Sequence, residues 1–152
     1  TKTGVRTFEA AAYLRRNGAD VIKLRKFFRS DFSEFKIKAD AISSAEVYLD
    51  LFAIAVCAAD EADSPTVLAA QVANELLNIK NIKASFVLTE FNNKIYISAR
   101  SIDEVNVQVV MEKLGGGGHL SVAGCQLEDS TIDEAIVKLK NTLETMVKEG
   151  EI

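Results

Sequence analysis

Four consecutive glycines, Gly115-Gly116-Gly117-Gly118, follow a helical pattern and lead into His119, the only histidine in 152 residues. This run constrains the chain more than any other stretch. Glycine reaches backbone angles closed to other residues and lets a ligand approach the main chain closely. Successive exposed N–H groups can form a concave nest for an anion, to which an imidazole adds a directional donor. The competing reading is a helix C-cap followed by a flexible linker, with His119 incidental. On its own the run does not decide between them.

The length suits one domain with a real core. Hydrophobic residues form 48% and charged residues 26% of the chain, the balance of a globular protein. No apolar stretch approaches the roughly 20 residues of a membrane-spanning helix, and no signal peptide is visible, so a cytoplasmic setting is expected. Cys57 and Cys125 sit inside apolar segments and read as buried free thiols. A net charge of −4 argues against a dedicated nucleic-acid binder. The charge is uneven: residues 1–38 carry ten Lys/Arg against four Asp/Glu, and the remainder carries eight against eighteen. That asymmetry fits a basic face turned to an anionic partner, or equally the solvated surface of a pair of helices.

Taken in order, Thr7 reads as the cap of a first helix that ends near Arg15, Arg16 and Gly18. Its start so close to residue 1 is expected of a chain that begins inside something longer. Val21, Leu24, Phe27 and Phe28 describe a second, basic amphipathic helix. Asp31 and Glu34 read as the capping box of a third, with an apolar stripe of Phe32, Phe35, Ala39 and Ile42. Residues 1–44 are therefore a helical arm and linker ending at Ser43-Ser44, and residues 45–152 the domain proper. Leu51 to Cys57 is an apolar run of strand length that suits a strand covered on both sides. Asp60, Glu61 and Asp63 read as the polar turn before a helix more readily than as metal ligands. Ser64-Pro65 starts that helix, with stripe Leu68, Val72, Leu76 and Ile79.

Ile82 to Phe91, Asn92-Asn93 and Lys94 to Ser101 describe a β-hairpin. On its second strand Tyr96, Ser98 and Arg100 share one face, with Arg100 at the carboxyl end, where α/β sheets usually bind ligands. A guanidinium there is a bidentate phosphate receptor, or else an edge arginine paired with an acid such as Asp103. Asp103 reads as the start of the next helix, through Val107, Val110, Met111 and Leu114, which Gly115 ends. Leu120 to Gly124 is expected to form one tight helical turn aimed at the glycine loop. Cys125 to Leu127 is a short strand, and Thr131 with Glu134 caps a closing helix with stripe Ile132, Ile136, Leu139, Leu143 and Met146. The expected fold is α/β: a mixed β-sheet with helices packed on it, in the order β-α-β-β-α-loop-β-α, after the helical arm.

Three elements can converge on one anion: the glycine amides, His119 and Arg100. The phosphate-loop and dinucleotide-binding patterns both fail here, since no Lys-Ser or Lys-Thr follows the glycines and no strand leads directly into them. No nucleophile-elbow signature surrounds a serine. With one histidine and no clustered ligands, a transition-metal hydrolytic centre is not expected.

At these residues the chain resembles a known family. Gly115 to Gly124, preceded by Ile97-Ser98-Ala99-Arg100-Ser101, is similar to the DHH-associated domain of the DHH phosphoesterase superfamily. The resemblance implies that Gly115, Gly116, Gly117, Gly118, His119, Arg100 and Ser98 contact the phosphate or nucleotide of a substrate. The opening Thr3-Gly4-Val5-Arg6-Thr7-Phe8-Glu9-Ala10-Ala11, with Gly18-Ala19-Asp20, resembles the interdomain segment of membrane-anchored cyclic di-AMP phosphodiesterases. Those enzymes carry PAS and degenerate GGDEF domains ahead of the DHH unit. No Asp-His-His occurs, so the half that would ligate two manganese ions is absent.

The resemblance therefore implies the substrate-binding half of a manganese-dependent phosphodiesterase that opens cyclic di-AMP to a linear dinucleotide. This segment is expected to be inactive alone, with no cofactor and no metal of its own and no direct membrane contact. Its expected partners are a cyclic dinucleotide or short nucleotide substrate, the parent's DHH domain and, in some form, copies of itself. Two alternatives stay open. One is a relative acting on short oligoribonucleotides or 3′-phosphoadenosine phosphate; the other is a non-catalytic nucleic-acid-binding module using basic residues 15–38.

Overall fold

The computed structural model describes residues 3–59, 62–102 and 104–152. Packing divides the chain into two compact units, one through Asp31 and one from Phe32 to Ile152. That division falls upstream of the linker expected at Ser43-Ser44, because the third helix packs on the fourth.

The first unit holds α1 (Val5–Arg16) and α2 (Val21–Phe27). Helix α1 begins two residues before the expected cap: Gly4 takes the N-cap position and Thr7 lies inside the helix, its amide donating to the Gly4 carbonyl at 3.0 Å. Gly18, at φ 91°, supplies the left-handed turn after it. Asp20 caps α2 by accepting from the amides of Ile22 and Lys23.

The second unit is built on one mixed six-stranded sheet in the order β1-β2-β3-β4-β6-β5. Its elements are α3 (Phe32–Ser43), β1 (Glu46–Tyr48), β2 (Phe52–Val56), α4 (Pro65–Leu76), β3 (Ala84–Phe91), β4 (Lys94–Ser101), α5 (Val107–Lys113), β5 (Gly117–His119), β6 (Val122–Leu127) and α6 (Ile132–Glu149). Strands β2 and β3 are parallel, and every other pairing is antiparallel. The expected mixed sheet with helices packed on it is present, with two more short strands. Strand β1 escaped notice because its turn, Leu49-Asp50, takes the left-handed conformation at φ 52° and 58° without the Gly or Asn that marks such hairpins.

Side chains of β2 alternate between two cores. Ala53 and Ala55 join Leu68, Val72 and Leu76 of α4 on one face of the sheet, whereas Phe52 and Ile54 join α5 and α6 on the other. Strand β3 is buried on both faces, and its hydroxyls are satisfied: Ser85 donates to the Ala73 carbonyl at 2.6 Å and Thr89 to that of Cys57 at 2.7 Å. The two free thiols lie in opposite cores, and burial pushes the Cys125 thiol up to about 11. Asn92 and Asn93, both near φ 55°, make the tight turn between β3 and β4 as expected (52° and 58°). Thr131 and Glu134 form the capping box of α6.

Other expectations need correction. The buried contact of α3 is Ala41, with Ile37 packed beside it; Phe32 and Phe35 of the expected stripe are 83% and 62% exposed. Ile79 lies past the end of α4 and is half-exposed. Asn106 caps α5 through a 3.1 Å bond from the Gln108 amide; the expected start at Asp103 lies outside the described residues. So do Asp60 and Glu61 of the acidic turn.

The largest difference concerns the glycine run. Instead of a loop followed by a helical turn, residues 117–119 form edge strand β5, which turns at Leu120-Ser121 into a β6 longer than expected. The helical turn fails because Val122, Ala123 and Gly124 find partners on β4, and a ladder satisfies their amides better than one isolated turn. Gly115, at φ 85°, ends α5, while the Gly116 amide reaches back to Met111 at 2.8 Å. A Cβ on Gly116 would lie 2.2 Å from the Gly124 carbonyl oxygen and 2.4 Å from Cys125 Cβ. One on Gly118 would meet Ala123 Cα at 2.5 Å. These glycines let β5 lie against β6.

At the opposite edge, Tyr48 donates its phenol to Glu144 of α6, and Lys140 bridges Glu46 at 2.7 Å while sitting over the Tyr48 ring. Burial, then the bond to Glu144, pushes the Tyr48 phenol up to about 12. Because the folded state favours the protonated phenol, this stabilisation is complete below the ordinary value of 10.0 and is lost as pH rises through about 12. A phenolate absorbance titration should show a transition near pH 12 that Tyr48→Phe removes. Gly116→Ala should cost about 2 kcal/mol and lower Tm by roughly 5 °C in thermal unfolding, while Gly117→Ala, whose Cβ meets nothing, should leave Tm unchanged.

Candidate functional site

Within the second unit, α3 and α4 cover β2 and β3 on one face, but past β4 that face carries no helix among the unit's own described residues. Strand register sets what stands there. Arg100 pairs with Val122, which pairs with His119; Ser98 pairs with Gly124, which pairs with Gly117; Tyr96 pairs with Gln126. Paired residues share a face, so the open surface consists of two rows running across β4, β6 and β5 and a third, Tyr96-Gln126, on β4 and β6 alone. Strand spacing puts Arg100 and His119 about 10 Å apart along theirs, and successive rows are about 7 Å apart. The middle row, Ser98-Gly124-Gly117, has almost no side chain. It is a floor between a cationic row and an aromatic-amide row.

Each predicted site residue has a definite place. Arg100 is half-buried, and desolvation pulls its guanidinium below the ordinary arginine value. Its Nη1 donates to the Ala99 carbonyl at 2.8 Å, and among the described residues no carboxylate pairs with it. The charge is therefore partly desolvated without a counter-ion among the described residues, which favours an anion supplied from outside; the pairing expected with Asp103 lies outside them. The carboxyl-end rule that pointed to Arg100 does not apply: β4 runs antiparallel to β3, so its end lies with the amino ends of the parallel pair. Ser98 is half-buried with no protein hydrogen bond of its hydroxyl among the described residues, and His119 is exposed at the sheet edge.

The structure brings Arg100, Ser98, Gly117 and His119 onto one surface. Gly115 and Gly116 border the concavity beside that surface. Gly115 and Gly118 adopt left-handed angles, and Gly116 and Gly118 pack against β6, so the fold itself also calls for glycine at these three positions. Gly117 is different. A Cβ there would enter open space, so nothing in the fold demands glycine, and its absence keeps the floor clear. The nest of successive amides expected from the run is replaced by a strand whose outer edge is unpaired.

The β5–β6 turn is anchored from behind. Ser101 donates its amide to the Ser121 carbonyl at 3.1 Å and its hydroxyl to that of Leu120 at 3.3 Å. The Val107 amide donates to Leu120 at 3.0 Å. Thus, in Ser98-Ala99-Arg100-Ser101, two residues face the site while the last holds the hairpin that carries His119.

Beside the floor lies an open concavity of about 560 Å³, bounded by Thr66, Tyr96, Ser98, Gly115, Gly116, Gly124 and Gln126. That volume is within the range of small-molecule sites, roughly 300–1,000 Å³. Thr66, Tyr96 and Gln126 were not foreseen as site residues. Alternation already placed Tyr96 beside Ser98 and Arg100, but Gln126 needs the β4–β6 register, and nothing local marks Thr66. Among the described residues no cluster of three His, Cys, Asp or Glu is placed to hold a metal, and no helix is long and apolar enough to cross a membrane.

Comparison with known proteins agrees with this architecture. The DHHA1 domain family matches residues 52–149. Cyclic-di-AMP phosphodiesterase PdeA of Listeria monocytogenes is 47% identical over 148 residues, covering 97% of this chain and 22% of the relative. Cyclic-di-AMP phosphodiesterase GdpP of Geobacillus thermodenitrificans is 41% identical, covering 98% of this chain and 23% of the relative. The chain thus spans less than a quarter of the length of the curated relatives it matches. Among solved structures, an exopolyphosphatase-related protein from Bacteroides fragilis superposes with a TM-score of 0.81 at 24% identity, over 95% of this chain and 44% of that one. With the expected sheet, the glycine-histidine hairpin and a family match across most of its length, this chain belongs to the DHHA1 domain family.

Proposed function

We propose that this chain is the substrate-binding part of a longer phosphodiesterase that opens cyclic di-AMP to a linear dinucleotide. A phosphate of the substrate lies over the Ser98-Gly124-Gly117 floor, held by Arg100, by the Ser98 hydroxyl and by His119 from the edge strand. The observation that carries this reading is the shared face of Arg100 and His119 across a floor without side chains, with no protein counter-ion for the guanidinium among the described residues. Two relatives named as cyclic-di-AMP phosphodiesterases, similar over nearly all of this chain, support the substrate class. Charge-assisted hydrogen bonds of this kind contribute about 1.5–3 kcal/mol each, so a few suffice for weak but specific capture.

The work of this chain is to bind and orient. Half-burial of Arg100 limits the water that competes for the phosphate, and the planar guanidinium fixes its orientation. This reading assigns the chemical step to the rest of the longer protein. The purified chain should show no turnover of cyclic di-AMP with manganese added; metal-dependent hydrolysis would overturn that division of labour.

Binding of a linear diadenylate to this chain, followed by NMR titration, should weaken about tenfold or more in Arg100→Ala and less in His119→Ala. Gly117→Val should block it while leaving the fold intact, since its side chain would fill the floor. Equal affinity in wild type and Arg100→Ala would sink the phosphate assignment. Tight binding of generic single strands with a steep salt dependence would favour a nucleic-acid module instead.

A further inference from the structure

The concavity beside the phosphate floor has features that a phosphate does not need. Tyr96 and Gln126 stand opposite each other on β4 and β6, one row beyond Ser98, and Thr66 of α4 closes the side. The Tyr96 ring is held by Phe91, with centroids 6.4 Å apart and planes inclined at 50°. It is therefore a positioned aromatic surface at the margin of an open cavity. Gln126 Nε2 donates to Glu128 at 3.3 Å, and Glu128 also accepts from Lys94 at 2.7 Å. That contact fixes the carboxamide while leaving its other N–H and its carbonyl oxygen without a protein partner among the described residues. A donor and an acceptor side by side match the N7 and N6–H edge of adenine; guanine would oppose its O6 to the same carbonyl oxygen. A phosphate over the floor lies one row, about 7 Å, from this row, a step that one ribose spans.

Building on the proposed phosphate site, we infer that the Thr66–Tyr96–Gln126 concavity is a nucleobase subsite, in which the base stacks on Tyr96 and Gln126 selects adenine. The phosphate row then sets that a nucleotide is held, and the concavity sets which one. Base stacking on an aromatic ring tolerates any base, so the preference for adenine comes from the amide and not from the ring.

The test compares AMP, GMP and ribose 5-phosphate binding to this chain by NMR titration. AMP should bind about tenfold more tightly than ribose 5-phosphate and about fivefold more tightly than GMP. Tyr96→Ala should bring AMP down to the level of ribose 5-phosphate without changing the latter, and Tyr96→Phe should restore AMP, which guards against a folding defect. Gln126→Leu should abolish the difference between AMP and GMP while keeping both above ribose 5-phosphate. If AMP and ribose 5-phosphate bind equally to the wild type, the base subsite falls and the phosphate site stands. If neither binds, both fall. An Arg100→Ala variant that loses all three ligands alike, beside a Tyr96→Ala variant that loses only the nucleotides, is the pattern the two-part site requires.

Discussion

The pairing of β5 with β6, and of β6 with β4, is the constraint on which the rest of the site depends. It carries His119 to the same face and the same row as Arg100, although the two are far apart in sequence. That pairing is close, and glycine permits it. Gly116 and Gly118 leave room where any Cβ would collide with the backbone or side chains of Gly124, Cys125 and Ala123. Ser101 and Val107 then tie the hairpin turn to the end of β4 and the start of α5. A site of this kind has its geometry set by a ladder of backbone hydrogen bonds, which is stiffer than a loop and needs little ordering when a ligand arrives.

The uneven covering of the sheet gives that geometry its use. Helices α5 and α6 bury one face, whereas α3 and α4 cover only part of the other. The uncovered part holds a desolvated cation, a hydroxyl, an imidazole, an aromatic ring and an amide around a bare floor. Burial of Arg100 lowers the preference for its charged form, which an incoming anion restores.

Family membership and site geometry carry different parts of the functional reading. The DHHA1 match covers β2 to β6 with α4, α5 and α6, and relatives extend over the helical arm, yet these relatives are several times longer. The proposed division, with binding on this chain and chemistry in a longer protein, draws on both.

Local patterns in the sequence were enough for much of this. The alternation of β4 placed Tyr96, Ser98 and Arg100 together, Asn92-Asn93 marked the turn, Thr131 and Glu134 marked the start of α6, and Gly115 marked the end of α5. Each rests on one residue's conformational preference or on a period of two or 3.6, which a chain displays wherever it is read. The tertiary structure alone decided the rest. Whether Gly117–His119 is a loop or a strand depends on β6 being beside it, and whether Leu120–Gly124 is helical depends on β4 offering amide partners. Glycine-rich residues have no strong preference of their own, so distant neighbours determine their backbone. For the same reason Gln126 and Thr66 were invisible as site residues: their place comes from register and from helix packing, not from anything adjacent in the chain. The glycine run was legible as the centre of a candidate site, but only the sheet decided that its backbone forms a floor and an edge rather than a nest.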